Sequence, residues 1–126
     1  MTDQVIGIII VDHGSRRLES NETLLVAAGR FAETGLYGIV EPAHMELAQP
    51  DIAAAFDRCV ARGASKIIVF PYFLSPGRHW KLDIPRLVAA ASAAHPNVTW
   101  KVTAPFGLHD GMLQVITERI GEVLND

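Results

Sequence analysis

The sequence has one cysteine, Cys59, and therefore neither an internal disulfide framework nor a CxxC metal or redox pair. Basic residues are not in excess: 11 Lys and Arg stand against 14 Asp and Glu, for a formal net charge of −3. With no surplus of positive charge to neutralise phosphates, the chain is not expected to bind nucleic acid. No apolar run approaches the roughly 20 residues that a membrane-spanning helix needs. The run near the start, VIGIIIV, lacks the basic flank and small-residue cleavage pattern of a secretory signal. No GxGxxG follows it, which argues against a dinucleotide-binding domain. Linkers, low-complexity tracts and strong internal repeats are also missing. These absences suit a cytoplasmic protein with no membrane partner.

What is present suits one compact domain spanning residues 1–126, with 49% hydrophobic and only 20% charged residues. VIGIIIV (5–11) and KIIVF (66–70) are continuous β-branched runs, as expected of parallel strands buried on both faces. GIVEPAHM (38–45) carries Pro42, which cannot donate to a ladder, so it is expected at a sheet edge. VTWKVT (98–103) alternates and is expected at the other edge.

Helical stripes lie between and after these strands. Leu24, Ala27, Ala28 and Phe31 form the first, and Ile52, Ala55, Phe56, Cys59 and Val60 the second. Ile84, Leu87, Val88 and Ala91 form the third, and Leu113, Ile116, Ile120 and Val123 the fourth. Gly35 and Gly63 stand where helix-terminating glycines belong, and Pro50 and Pro85 are expected in first turns. The fold class is α/β: a four-stranded parallel sheet flanked by helices, similar to a flavodoxin-like half-domain.

Ligands of such sheets bind outside the carboxyl ends of the strands. The four strands end in DHGSRR, HMELAQPD, PYFLSPGRHWKLD and APFGLHDGM, which brings His13, Glu46, His79 and His109 to one rim. Each has an ordinary alternative: a turn residue, a solvated acid or a helix-end residue. His44, inside a strand pattern, reads as a packing or supporting residue; His95 as a helix-end residue meeting the helix dipole; Cys59 as core. Two imidazoles and a carboxylate suit divalent Co, Ni, Fe or Zn. Arg16, Arg17, Arg78 and Lys81 cluster on the same rim and would attract carboxylates. Tyr72, Phe73, Leu74 and Trp80, with Pro105, Phe106 and Leu108, add apolar surface. A flat, partly apolar ligand fringed with carboxylates would match.

VDHGSR, MELAQPDI, VFPYFLSPGRHWKLDIP and APFGLHDGM, in this order, resemble the small CbiX-type sirohydrochlorin chelatases over essentially the whole chain. The resemblance implies a class II chelatase fold and ATP-independent insertion of a divalent metal (Co²⁺ first, Fe²⁺ or Ni²⁺ next) into sirohydrochlorin, in cobalamin or sirohaem biosynthesis. It implies His13 and His79 as metal-binding catalytic residues, with Glu46 as a further ligand or proton acceptor. Ser15, Arg16, Arg17, Arg78 and Lys81 would hold the tetrapyrrole. The metal is a substrate, so no retained cofactor is expected, and the chain is expected to pair as a homodimer. The alternative is a non-catalytic metal carrier using the same histidines. DHG also resembles the RHG motif of histidine phosphatases, but Asp12 stands where the phosphate-holding arginine belongs and would repel the anion.

Overall fold

The computed structural model describes residues 4–75 and 80–124, with the side chain of Trp80 left out. Four strand–helix units follow one another: β1 (Ile6–Asp12), α1 (Leu18–Glu33), β2 (Ile39–His44), α2 (Ile52–Ala61), β3 (Lys66–Pro71), α3 (Trp80–Ser92), β4 (Thr99–Val102) and α4 (Asp110–Leu124). The strands pair in parallel in the order β2-β1-β3-β4. The two continuous apolar runs are thus the central strands. The proline-bearing strand is one edge, with Pro42 in register with Ile10, and β4 is the other.

The side chains of β1 divide between two cores, because successive residues of a strand point to opposite faces. Ile9 and Val11 join Ile67 and Val69 beneath α2 and α3, around the fully buried Phe56. Ile8 and Ile10 join Leu24 and Ala28 of α1 on the other face, where Ile68 and Phe70 remain only partly buried. Helix α2 lies close to the sheet because Gly7 has no side chain: a Cβ there would sit 3.0 Å from the Cβ of Ala64 and 3.2 Å from that of Cys59. Burial pushes the Cys59 thiol up to about 12; the charge of Glu41 adds to the rise and Arg62 opposes it.

Local signals place the helix ends. The Asp51 carboxylate accepts from the Ala54 N–H at 2.8 Å and caps α2. Gly35 and Gly63 follow the last turns of α1 and α2 with φ of 73° and 102°. Arg62 ties the end of α2 to the start of β2, donating to the Gly38 carbonyl at 2.9 Å and to Glu41 at 2.8 Å.

Three expectations are corrected. Pro50 stands outside α2, before its cap, and follows a cis peptide bond. Pro85 lies inside α3, whose start at Trp80 precedes the first turn expected from the proline. His95 does not merely face the end of α3: its Nε2 is 2.7 Å from Asp57 Oδ1 and its ring stacks on Phe56, so it joins α3 to α2. Helix α4 forms where its stripe says, yet has no buried residue; Leu113, Ile116, Ile120 and Val123 are all exposed.

Candidate functional site

The carboxyl ends of the strands form a rim held by main-chain hydrogen bonds. Met45 N–H donates to the Asp12 carbonyl at 2.9 Å and Glu46 N–H to the His13 carbonyl at 3.2 Å, joining the loops after β1 and β2. Phe106 N–H donates to the Phe73 carbonyl at 3.0 Å and Gly107 N–H to that of Leu74 at 2.7 Å, joining the loops after β3 and β4. Tyr72 N–H, donating to the Val11 carbonyl at 2.7 Å, ties β3 to β1 just below.

The turn after β1 is closely specified. Gly14 has φ of 86°, a region that side chains disfavour, and an added Cβ would fall 1.8 Å from the Glu46 carbonyl oxygen. The Asp12 carboxylate accepts from Gly14 N–H at 2.9 Å and from His44 Nδ1 at 2.6 Å. A carboxylate can only accept, so the His44 proton lies on Nδ1. His44 is wholly buried, and its Nε2 has no partner among the described residues. Ser15 N–H donates to Asn21 Oδ1 and Asn21 Nδ2 donates back to the Ser15 carbonyl, at 2.9 and 2.8 Å. Ser15 Oγ accepts from Arg17 N–H at 2.9 Å. Asp12, His44 and Asn21 therefore hold the turn that carries His13.

His13 is exposed, with its ring stacked flat on buried Phe73, centroids 4.0 Å apart and planes inclined by 15°. The stack fixes the plane of the imidazole while leaving it accessible. Glu46 is exposed on the neighbouring loop, next to Leu47, whose φ of 70° is unusual for a branched residue. Glu46 also lines a depression of about 250 Å³ with Met45, Asp83, Arg86 and Leu87.

Ser15 lies in the turn itself, half-buried. Arg16, Arg17 and Lys81 are exposed, and none forms an ion pair among the described residues. His79 and Arg78 lie outside the described residues. Among the described residues no three His, Cys, Asp or Glu side chains form a group able to hold a metal ion. The expectation of a metal on His13, Glu46 and His79 therefore depends on the third of them. His109 is occupied locally: its Nδ1 accepts from Gly111 N–H at 2.9 Å at the start of α4.

The sequence reading missed three contributors. The Asp12–His44 pair joins residues far apart in the chain and arises from strand register. Phe73 was read as apolar rim surface but not as the platform under His13, and the position of Arg86 beside Glu46 was unseen, since a cation on a helix is an ordinary feature. Leu47, Leu74 and Leu108 are exposed on these loops and supply apolar surface.

A parallel α/β sheet with an imidazole on an aromatic platform, a nearby carboxylate, exposed cations and apolar side chains at its carboxyl rim defines a class: α/β proteins whose candidate site is built from strand-end loops. The chain belongs to the CbiX family, whose sequence model matches residues 7–123. It is 51% identical over 119 residues to the chloroplastic sirohydrochlorin ferrochelatase of Arabidopsis thaliana, covering 94% of this chain and 53% of that protein. It is 30% identical over 115 residues to the sirohydrochlorin cobaltochelatase of Priestia megaterium, covering 91% of this chain and 37% of that one. These first curated relatives are therefore about twice as long as this chain or longer.

Among solved structures, a putative cobalamin biosynthesis CbiX protein from Marinobacter aquaeolei VT8 superposes with a TM-score of 0.82 at 29% identity, covering 95% of this chain and 98% of that chain. SirB from Bacillus subtilis with Fe³⁺ superposes with a TM-score of 0.84 at 25% identity, covering 96% of this chain but 48% of that chain. No helix among the described residues is long and apolar enough to cross a membrane.

Proposed function

We propose that this chain is a sirohydrochlorin chelatase, inserting a divalent metal into the tetrapyrrole without ATP. The observation that carries the reading is the exposed His13 imidazole, held flat on Phe73 next to the loop of Glu46. The names of the relatives support the substrate class. His13 and His79 would present the metal to the ring, with Glu46 as a further ligand. Arg16, Arg17, Arg78 and Lys81 would hold ring carboxylates, and Ser15 would keep the first loop in place for them.

Insertion exchanges two pyrrole N–H protons for one M²⁺, so two protons must leave the inner nitrogens. An accessible imidazole or carboxylate can take them in turn and pass them to water. Such general-base help contributes roughly 10²–10⁴-fold. The metal is consumed with each turnover and is a substrate. Co²⁺, Fe²⁺ and Ni²⁺ all suit imidazole and carboxylate donors, and the relatives' names divide between iron and cobalt. The product would serve cobalamin or sirohaem formation.

One four-stranded sheet offers one wall to a ring with two faces, which supports action as a homodimer. The single thiol, buried at Cys59, suits a reducing compartment such as the cytoplasm. The deciding experiment follows sirohydrochlorin absorbance under anaerobic conditions with Co²⁺, Fe²⁺ or Ni²⁺ and catalytic amounts of protein. Faster insertion than the protein-free control, with more than one turnover, supports the chelatase. No acceleration with any of the three metals overturns it and leaves a metal carrier.

A further inference from the structure

The described histidines are oriented in two different ways. His44, His95 and His109 each have a ring nitrogen in a hydrogen bond, with Asp12, with Asp57 and with the Gly111 N–H, at 2.6, 2.7 and 2.9 Å. No hydrogen bond among the described residues reaches the His13 imidazole, whose ring instead lies on Phe73. A histidine that ligates a metal ordinarily donates its second ring N–H to a carboxylate or carbonyl, which fixes its plane and its tautomer together. His13 departs from that pattern.

Rotation about the last bond of a histidine side chain is broad and roughly two-fold, so an exposed imidazole has no fixed plane of its own. Stacking at 4.0 Å and 15° selects one. The nitrogen lone pairs of imidazole lie in the ring plane. A cation held by either nitrogen must therefore lie in that plane too, in a layer nearly parallel to the Phe73 face. A half-turn of the ring exchanges its two nitrogens and keeps the stack.

The platform is itself well fixed. Phe73 is buried in the core beneath α2 and α3, in one cluster with Ile84 and Val88. Its N–H donates to the Pro71 carbonyl at 2.9 Å, closing a three-residue turn, and its carbonyl accepts from Phe106 N–H at 3.0 Å. Pro71 is in register with Val11 of β1. The face thus comes from the end of β3 and the ring it steadies from the end of β1, strands that lie side by side. Asp12, His44 and Asn21 hold the main chain of the His13 turn; Phe73 holds the side chain.

We propose that Phe73 is the positioning residue of His13, an aromatic face in place of the hydrogen-bonded partner that ligating histidines usually have. The proposal rests on the chelatase reading above, in which His13 presents the metal. A hydrogen-bonded carboxylate would raise the basicity of the imidazole and tighten its hold on a cation. A stack gives direction without that added hold. This suits a metal that must leave the protein for the tetrapyrrole at every turnover.

The test compares Phe73→Leu, which stays apolar but loses the flat face, with Phe73→Tyr, which keeps it. Phe56→Leu removes a ring from the same core away from the rim and reports the effect of lost packing alone. Phe73→Leu should lower both kcat for insertion and Co²⁺ affinity by about tenfold or more, the scale of losing the group that orients a ligating histidine. KM for sirohydrochlorin should move by less than about twofold, because ring binding is not what is lost. Phe73→Tyr should retain at least about half of kcat, and Phe56→Leu should melt earlier with kcat and Co²⁺ affinity kept. In a His13→Ala background, Phe73→Leu should weaken Co²⁺ binding no further, as for residues that act as one unit. If Phe73→Leu does not fold, Phe73→Met fills more of the space, still without a flat face, and takes its place. Equal effects of Phe73→Leu and Phe56→Leu overturn the proposal, as does a tenfold effect that persists without His13. Wild-type kcat in folded Phe73→Leu, beside an inactive His13→Ala, overturns it and leaves the chelatase reading intact. No insertion by the wild-type chain overturns the chelatase reading, and the Co²⁺ titrations then decide the role of Phe73 by themselves.

Discussion

Asp12 and His44 face each other at the last rung of the β1–β2 ladder, Oδ1 and Nδ1 2.6 Å apart. The histidine is wholly buried and the aspartate also holds Gly14 N–H, so one carboxylate braces both the strand end and the turn under His13. Asp12→Ala should destabilise the fold by about 1–3 kcal/mol, because it leaves a buried imidazole N–H and a main-chain N–H without their acceptor. Asp12→Asn retains an acceptor oxygen and should recover at least half of that loss. Urea unfolding of both variants measures the difference; equal losses would mean that the oxygen at this position does not matter.

Gly14→Ala should be among the more damaging single-methyl changes in the chain. Left-handed backbone costs a side chain about 1–2 kcal/mol. The clash with the Glu46 carbonyl adds to it and pushes apart the loops that carry His13 and Glu46. Thermal unfolding should fall by several degrees, and the proposed chelatase activity should fall further than the stability loss explains. Wild-type activity in a stable Gly14→Ala protein would show that the loop contact is dispensable.

Cys59 should resist thiol reagents in the folded protein at pH 8 and react at once when urea unfolds it. Its thiol is raised from 9.0 to about 12 by burial, so the folded state keeps a proton that the unfolded chain releases. The contribution is fully present below about pH 9 and is lost as pH rises toward 12, at up to about 1.4 kcal/mol per pH unit. Cys59→Ala should flatten that part of the alkaline stability profile relative to wild type. Parallel profiles would remove Cys59 from the account.

Under the proposed function, metal binding should separate the rim histidines from His95. His13→Ala and His79→Ala should each weaken Co²⁺ binding by at least about tenfold in calorimetric titration. His95→Ala should bind as wild type, although it loses the contacts to Asp57 and Phe56 and melts earlier. Unchanged binding in both rim variants would sink the ligand assignment.

The fold was legible in the sequence where one residue type carries one meaning. Pro42 marked an edge strand because a missing N–H cannot serve a ladder. The stripes of α1, α2 and α3 each put apolar residues into one of the two cores. Pro85 misled because proline is also found inside a helix, where it forgoes one hydrogen bond, and α3 accommodates it. The stripe of α4 announced an apolar face but could not say what covers it. His13 and Glu46 were readable as rim residues from strand ends alone. The Asp12–His44 pair was not, since it depends on how two strands register. For His109 the sequence left a rim residue and a helix-start residue equally open, and its Nδ1, accepting from Gly111 N–H at the start of α4, fits the second.

The main-chain bonds from Met45 and Glu46 to Asp12 and His13 separate scaffold from chemistry. Peptide groups are common to every amino acid, so the spacing of the two loops survives replacement of the side chains they display. Side chains at positions 13 and 46 can then be exchanged with little effect on the frame that presents them. Under the proposed function, that arrangement would leave metal preference open to change by single substitutions, each testable by selection without first repairing the fold. A lineage could move between iron and cobalt by small steps at the tips of its loops.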